Sequence, residues 1–172
     1  TKSYVSNAII AKELERLNMI GLGRWNSEGL TIASRENAGE IVATYLKEDS
    51  MLTILLKLPL GYPLKQVEVQ TGKQLGLSKL RRQRWALQVK SLLSFNNGSV
   101  LDAILLWKKN IDKEFEGKEP CFICYCTLNP ADMTLPSQKC KTCSNCYHTS
   151  CLYKWFKTSH KMKCPICLQK WD

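Results

Sequence analysis

Four pairs of residues that can bind a metal ion lie in the last third of the chain, each with two residues between its members. The pairs are Cys121 and Cys124, Cys140 and Cys143, His148 and Cys151, and Cys164 and Cys167. A two-residue gap lets two side chains of one tight turn reach the same ion. Zn²⁺ takes four thiolate or imidazole ligands in a tetrahedron. The spacing therefore predicts two closed structural zinc sites that leave no position for water.

Other uses of these residues explain less of the spacing. A disulfide framework would need a secreted context, but the sequence shows no signal peptide and its nine cysteines are an odd number. A catalytic cysteine would account for one residue rather than eight. Cys126 lies too close to Cys124 to fit the pairs, whereas Cys146 could compete with Cys143 for a ligand position. His160 could in principle replace His148 as a ligand, but it lacks the second ligand of a pair at the same spacing. Spacing alone leaves open whether the sites use consecutive or interleaved pairs.

All nine cysteines lie after residue 120, which predicts a domain boundary near Gly117. Metal binding requires reduced thiols, which indicate the cytosol or nucleus. Because Thr1 is not an initiator residue, we expect a fragment of a longer protein. Seven coordinated thiolates and two Zn²⁺ would lower the formal charge of +10 to about +7. This excess suits a polyanionic partner such as RNA, and it is equally typical of an ordinary lysine-rich surface.

The first segment, residues 1–20, is predicted to be helical and to end a preceding helical region. Ile10, Leu14 and Leu17 recur at helical spacing, and Gly21 and Gly23 end the run.

Residues 21–117 are predicted to form an α+β domain with an antiparallel sheet covered by helices. The predicted strands span 30–33, 40–47, 51–58 and 66–70, with a hairpin turn at Glu48-Asp49-Ser50. Helices are predicted at 78–96 and from Ser99 to about Glu116, the second opened by a capping box between Ser99 and Asp102. The predicted helix faces are Trp85, Val89 and Leu92 in the first, and Val100, Ala103, Ile104 and Trp107 in the second.

A dense basic run opens the first of these helices, at Lys79, Arg81, Arg82 and Arg84. Four cations at a helix N-terminus oppose the helix dipole, which favours anions there. The run is therefore a candidate phosphate-contacting site, and the alternative is a solvated helix face.

The zinc part, residues 118–172, contains no catalytic triad, no phosphate-binding glycine loop and no acid pair. Its function should then lie on the surface that the ions hold rigid. Ile123 sits inside the first turn, Trp155 on a short helix predicted at 152–158, and Pro165 inside the last turn. Together they could form an exposed apolar groove, which would mark a protein-binding site.

Two runs in this part, Cys151-Leu-Tyr-Lys-Trp155 and Cys164-Pro-Ile-Cys167, resemble the RING finger family of ubiquitin E3 ligases. The resemblance implies a cross-brace. Cys121, Cys124, His148 and Cys151 would bind one Zn²⁺, and Cys140, Cys143, Cys164 and Cys167 the other. It also implies that Ile123, Trp155 and Pro165 contact an E2 enzyme carrying ubiquitin, with the catalytic cysteine on the E2.

Two features depart from the commonest RING pattern. The ligand order of four cysteines, one histidine and three cysteines is shared with PHD fingers, which would make the chain a reader of histone tails. PHD fingers usually carry a tryptophan where this chain has Met162, which favours RING. Leu168 follows Cys167, where many active RING fingers have an arginine that helps to hold ubiquitin on the E2.

The N-terminal part resembles an RWD domain through Tyr62-Pro63, although Val67 replaces the second proline of the usual motif. An RWD-like domain followed by a variant RING resembles the ribosome-associated E3 ligases. This resemblance implies a cytosolic protein, without a membrane partner, that ubiquitinates nascent chains on stalled large (60S) ribosomal subunits. The RWD-like domain would contact the subunit, including its rRNA. A further alternative is a zinc-stabilised RNA- or ribosome-binding module without ligase activity.

Overall fold

The computed structural model describes residues 2–21, 29–48, 50–72, 79–96 and 98–172. The predicted features at Gly23, Asp49 and Asn97 lie outside these ranges. The chain divides into two compact units, Thr1–Lys113 and Glu114–Asp172. In the part of the chain that the structure describes, no helix has the length and apolar character needed to cross a membrane.

The first unit is α+β, as predicted. Its helices and strands are α1 (Lys2–Gly21), β1 (Leu30–Arg35), β2 (Glu40–Lys47), β3 (Ser50–Lys57), β4 (Glu68–Thr71), α2 (Lys79–Phe95) and α3 (Val100–Phe115). A short 3₁₀ turn, Glu36–Ala38, joins β1 to β2. The four strands form one antiparallel sheet in sequence order.

One face of this sheet is the core, because alternate side chains of β2 and β3 are apolar. Three cross-strand pairs bury both members, namely Ile41 with Leu56, Ala43 with Ile54 and Tyr45 with Leu52. Adjacent side chains of a strand point to opposite faces, so this alternation fixes the register. Strand β1 extends past the predicted residue 33 because Ser34 and Arg35 still pair with β2. Strand β4 begins at Glu68 rather than at residue 66.

A glycine just before β2 allows the backbone to lie close to the backbone that follows β3. Gly39 has a φ of 59°, a conformation that other residues adopt with difficulty. Its carbonyl accepts a hydrogen bond from the Leu58 amide at 2.8 Å. A Cβ at this position would lie 2.7 Å from the Leu58 carbonyl oxygen, so a larger residue would force the backbone apart.

Helix α3 packs its apolar face into the unit. The four residues of its predicted face are buried, and Ile111 joins them one turn after Trp107. The Trp107 ring meets Tyr45 of β2 edge-on, with centroids 6.5 Å apart. The capping box forms as predicted, since the Asp102 carboxylate accepts from the Ser99 amide and the Asp102 amide donates to the Ser99 hydroxyl.

Helices α2 and α1 differ in detail from their predictions. In α2 the buried residues are Val89 and Leu93, whereas Trp85 and Leu92 are only half-buried. Leu93 lies four residues after Val89 and therefore shares its face more closely than Leu92 does. Helix α1 buries its predicted residues Ile10, Leu14 and Leu17 within the same compact unit as the sheet.

A half-buried carboxylate joins α3 to β2. The Asp112 carboxylate accepts hydrogen bonds from the Tyr45 hydroxyl at 2.6 Å, the Lys47 ammonium at 2.9 Å and the Lys108 ammonium at 3.0 Å. Burial raises the pKa of Asp112, but these three hydrogen bonds outweigh burial and hold the pKa below its ordinary value of 3.8. The ionised form of Asp112 therefore stabilises the folded unit.

Asp112→Asn removes this charge and should destabilise the first unit by about 1–2 kcal/mol, because the carboxylate is part-exposed and its ion pairs are screened. Because the pKa of Asp112 is lower in the folded state, its stabilising contribution is fully present above the unfolded pKa of 3.8. This contribution is lost as the pH falls through the folded-state pKa. The wild type and the variant should therefore differ more at pH 6 than at pH 3, because the stabilisation by ionised Asp112 shrinks as the pH falls below 3.8. Hydrogen exchange of the β2 and β3 amides measures this.

The matched control is Glu15→Gln, which neutralises an exposed carboxylate of the same unit. It should change amide protection little at either pH. Equal protection of the Asp112→Asn variant and the wild type at pH 6 would show that the hydrogen bonds of Asp112 contribute nothing net.

Candidate metal centre

The second unit is built on three turns with the same hydrogen bonds. In the first turn, the Cys121 amide donates to the carbonyl of Cys126 and the Tyr125 amide donates to the carbonyl of Cys121. The turns that start at Cys140 and Cys164 repeat both bonds at the same spacing. Each turn thus presents two cysteines, three residues apart, from one rigid loop.

The fifth residue of each turn adopts the left-handed conformation. The φ values are 59° at Tyr125, 61° at Ser144 and 59° at Leu168. Such values are uncommon outside glycine, asparagine and aspartate. The hydrogen bond from each of these amides to the first cysteine of its turn holds the conformation. Sequence patterns could not reveal it, because tyrosine and leucine rarely mark left-handed positions.

The remaining ligand pair, His148 and Cys151, lies at the start of a helix. Strands β5 (Gln138–Lys139) and β6 (Cys146–Tyr147) form a short hairpin, and α4 (Thr149–Ser159) follows at once. His148 is the N-cap residue of α4, and Cys151 lies in its first turn. The helix begins before the predicted residue 152, so it carries a ligand itself.

The eight predicted ligands lie in two groups of four, and in each group the ligand atoms lie within 4.8 Å of one another. We call them the first and the second tetrad. The first tetrad contains Cys121, Cys124, His148 and Cys151, and the second contains Cys140, Cys143, Cys164 and Cys167. Each tetrad combines alternate pairs of the sequence. The ligand pairs are therefore interleaved, which spacing alone left open.

The distances between donor atoms fit tetrahedral coordination. His148 Nδ1 lies 3.4 Å from Cys124 Sγ, and Cys143 Sγ lies 3.7 Å from Cys164 Sγ. Metal–sulfur bonds of about 2.3 Å, the value for Zn²⁺, place tetrahedral sulfurs about 3.8 Å apart. Both tetrads can therefore hold a metal ion of this size without rearrangement.

The backbone selects which histidine nitrogen faces the metal position. His148 is fully buried, and its Nε2 lies 3.0 Å from the carbonyl oxygen of Thr127. A carbonyl can only accept, so Nε2 carries the proton and Nδ1 keeps its lone pair. Nδ1 faces the sulfurs of Cys124 and Cys151. The carbonyl thus orients the ring as a ligand.

The thiols of the tetrads require a compensating positive charge. Burial and the charges of Cys121 and Cys124 raise the pKa of Cys151 to about 12. At Cys164 burial acts the same way, but hydrogen bonds from Tyr147 and from backbone amides outweigh it and lower the pKa to about 6. A cation among the sulfurs of the first tetrad would oppose the raised pKa of Cys151 and favour the deprotonated thiols that metal binding needs.

An aromatic cluster supports the tetrads, and no motif in the sequence indicated it. Tyr147 is fully buried against the cysteines and Leu152. Its ring meets Trp171 edge-on, with centroids 5.7 Å apart, and Trp171 meets Phe156 at 5.9 Å. The Trp171 amide also donates to the Met162 carbonyl, which ties the last residues of the chain to the segment before Cys164.

The predicted apolar groove is more buried than expected. Ile123, Trp155 and Pro165 are half-buried rather than exposed, and Ile123 packs against the core cluster of the cysteines. The Trp155 indole N–H donates to the Lys163 carbonyl at 3.1 Å, which fixes α4 to the start of the last turn. The expectation of an exposed groove was wrong at Ile123, because this side chain joins the core cluster that includes Tyr147 and Leu152. Ile166 and Leu168 are the exposed apolar residues of the last turn.

The three remaining candidate ligands lie outside both tetrads. Cys126 is exposed, and its thiol lies 3.5 Å from the Cys124 carbonyl. Cys146 occupies β6, where its carbonyl accepts from the Phe122 amide. His160 ends α4 in a left-handed conformation, with a φ of 52°. None of them competes for a ligand position.

The basic run lies on the first turns of α2. Lys79, Arg81 and Arg84 are exposed, and Arg82 is half-buried. The first turn of α2 has no acidic residue. Phosphate contact at this run stays a prediction.

Together, the helix-covered antiparallel sheet and the interleaved tetrads define an RWD-like domain followed by a RING-type module. In agreement, the "ubiquitin conjugating domain-like" family matches residues 30–114. Over nearly its whole length, the chain is also homologous to part of listerin. It is 36% identical to "E3 ubiquitin-protein ligase listerin" of Mus musculus, covering 97% of this chain and 9% of that protein.

The relatives of two other organisms agree. The chain is 35% identical to listerin of Xenopus tropicalis, and the match covers 97% of this chain and 10% of that protein. It is 37% identical to listerin of Saccharomyces cerevisiae, and the match covers 95% of this chain and 11% of that protein. The chain therefore spans about a tenth of the length of these curated relatives.

The ubiquitin conjugating domain-like match does not make this unit a conjugating enzyme. A ubiquitin thioester requires a cysteine, and residues 30–114 contain none. The fold is present without this nucleophile, so residues 30–114 cannot form a ubiquitin thioester.

The interleaving predicts which double substitutions remove one ion and which remove two. Cys124→Ser with His148→Ala damages only the first tetrad, so the chain should keep one ion. Cys124→Ser with Cys140→Ser damages both tetrads and should leave none. Consecutive pairing would give the reverse result. Metal content by mass spectrometry under non-denaturing conditions measures this.

Cys126→Ser with Cys146→Ser is the matched control, because it removes two thiols of the same unit outside the tetrads. Both ions should remain bound. If this variant lost an ion, or if both ligand double variants lost both ions, the assignment of independent interleaved sites would be refuted.

Proposed function

We propose that this chain is a RING-type E3 ubiquitin ligase module that holds two Zn²⁺ ions. It binds an E2–ubiquitin conjugate and promotes ubiquitin transfer to lysines of nascent chains on stalled large ribosomal subunits in the cytosol. The observation that carries the proposal is the pair of interleaved tetrads in a chain homologous to proteins named E3 ubiquitin-protein ligase.

Zinc is the ion that best matches the donors. One tetrad offers three sulfurs and one imidazole nitrogen, and the other offers four sulfurs. Soft thiolate ligands disfavour Mg²⁺ and Ca²⁺, which take oxygen ligands, whereas tetrahedral sulfur and nitrogen sets are typical of structural zinc. A closed site with four protein ligands leaves no open position for water, so the ion stabilises the fold.

The proposed mechanism assigns the chemistry to the E2. In this mechanism the half-buried Ile123, Trp155 and Pro165 would contact the E2 together with the exposed side chain of Ile166. The Trp155–Lys163 hydrogen bond holds α4 and the last turn in a fixed relation. An E2 bound there would be restricted in orientation, and a substrate lysine would attack its ubiquitin thioester. The rate gain comes from orientation and proximity.

Trp155→Ala should lower E3-stimulated ubiquitin discharge from a charged E2 onto free lysine by about tenfold or more, because it removes the largest side chain of the proposed surface. Trp155→Phe distinguishes the proposed apolar contact with the E2 from the hydrogen bond that fixes α4, since it keeps an aromatic ring but loses the hydrogen bond to the Lys163 carbonyl. We expect Trp155→Phe to retain more activity than Trp155→Ala. The assay uses the whole chain with two bound Zn²⁺ verified in each variant.

Tyr153→Ala is the matched control, because it removes an aromatic side chain from the same helix that is 60% exposed. It should leave discharge unchanged. If the zinc-loaded wild type accelerated ubiquitin discharge from no E2, the ligase proposal would fail. The chain would then be better explained as a histone-tail reader or as a ribosome-binding module without ligase activity.

For the first unit we propose docking on the large ribosomal subunit through the start of α2. The exposed cations Lys79 and Arg84 and the lack of an acidic residue in the first turn favour contact with phosphates or another anionic surface. Docking would hold the RING-type module near the emerging chain and raise the effective concentration of its lysines. Location would then select the substrate.

Lys79→Glu with Arg84→Glu should weaken cosedimentation with purified large ribosomal subunits by about tenfold at low salt. It should also reduce the salt dependence of binding, by about one unit of slope for each phosphate that the variant no longer neutralises. Arg82, which is half-buried, and Arg81, which has an interaction of its own, are left unchanged to protect the fold.

Lys12→Glu with Lys109→Glu provides the same change of charge on exposed positions of α1 and α3. If this control weakened binding as much as the α2 variant, net charge rather than a defined surface would explain the association. If the α2 variant bound ribosomal subunits as tightly as the wild type, the basic run would be a solvated helix face and not a binding site.

A further inference from the structure

The fully buried hydroxyl of Tyr147 lies next to a metal ligand. Tyr147 has no exposed surface, and its Oη lies 3.2 Å from Cys164 Sγ. A buried hydroxyl without a partner would cost free energy. A metal-bound thiolate has no proton to donate, so the hydroxyl is the donor and the sulfur accepts.

The position of this hydroxyl is fixed on several sides. The Tyr147 ring packs edge-on against Trp171, and its backbone carbonyl accepts from the Ser137 amide at 3.2 Å. Tyr147 also pairs with Gln138 in the β5–β6 hairpin. The hydrogen bond therefore forms without ordering a free side chain, and its full strength acts on the sulfur.

The second tetrad has the greater need of such a donor. Four thiolates around a divalent cation leave two negative charges, whereas three thiolates and an imidazole leave one. Cys164 has no exposed surface, so water cannot solvate its sulfur. Hydrogen bonds to thiolates in such sites must come from the protein.

Tyr147 also joins the two sites along the backbone. The next residue, His148, is a ligand of the first tetrad, and its amide donates to the Cys121 sulfur at 3.4 Å. Two consecutive residues thus contact the two tetrads through separate groups. A change at Tyr147 that removes only the hydroxyl should affect the second tetrad without disturbing His148.

We propose that Tyr147 is a positioning residue of the second metal site. Its hydroxyl donates to Cys164 Sγ, stabilises the charge of the four-thiolate set and slows release of the ion. The proposal rests on the proposed zinc binding but not on ubiquitin transfer, and its test reads the metal directly.

Tyr147→Phe removes the hydroxyl and keeps the ring, so the unit is expected to fold. The whole chain is loaded with ¹¹³Cd²⁺, whose resonance distinguishes a four-sulfur site from a three-sulfur, one-nitrogen site. Release from the four-sulfur site to a chelator should become about 10–100-fold faster, and its resonance should shift. The other site should keep its resonance and its release rate.

Two controls separate hydrogen bonding from packing. Tyr153→Phe removes a hydroxyl from an exposed tyrosine of the same unit and should change neither site. Trp171→Phe loosens the ring packing but keeps the Tyr147 hydroxyl, so it should leave the four-sulfur resonance closer to the wild type than Tyr147→Phe does. The proposal is overturned if Tyr147→Phe leaves that site unchanged, if it weakens both sites equally, or if Trp171→Phe reproduces its effect.

Discussion

Tetrahedral coordination by interleaved ligand pairs is the constraint on which the second unit depends. Apart from cysteines, the buried apolar residues of Glu114–Asp172, all of which the structure describes, are Phe115, Leu128, Met133, Pro136, Tyr147 and Leu152. So small a core cannot offset the conformational entropy of the unit. An ion bound in each tetrad would instead close a loop between distant parts of the sequence, and each loop contains ligands of the other tetrad. Binding of metal would therefore be coupled to folding.

The ions can act in this way only because the chain brings hydrogen-bond donors and acceptors to their ligands. Backbone amides of the repeated turns hold the cysteines, the Thr127 carbonyl selects Nδ1 of His148, and a tyrosine hydroxyl contacts Cys164. Charged sulfurs removed from water would otherwise be costly. The first unit applies the same rule to a carboxylate, since Asp112 is held by a hydroxyl and two ammonium groups at the edge of its apolar core.

The sequence was most informative where a period or a spacing has one physical solution. The antiparallel strands β2 and β3, the apolar face of α3 and the Ser99–Asp102 capping box all have the predicted form. The eight ligands could also be chosen, because metal coordination demands their residue types. What could not be predicted depends on tertiary contacts. Examples are the left-handed turn residues, the half-buried state of Trp155, and the Tyr147–Trp171–Phe156 cluster.

The last turn indicates how a ligase of the proposed kind would gain its rate. Leu168, in the position where many RING fingers carry an arginine, is 62% exposed and has its backbone fixed by the bond from its amide to Cys164. Leucine has no hydrogen-bond donor in its side chain, so this position cannot hold ubiquitin as a guanidinium would. A module with weaker control of the conjugate benefits more from a high local concentration of lysines. Docking through the first unit would supply that concentration, which makes the two units of this chain parts of one proposed mechanism.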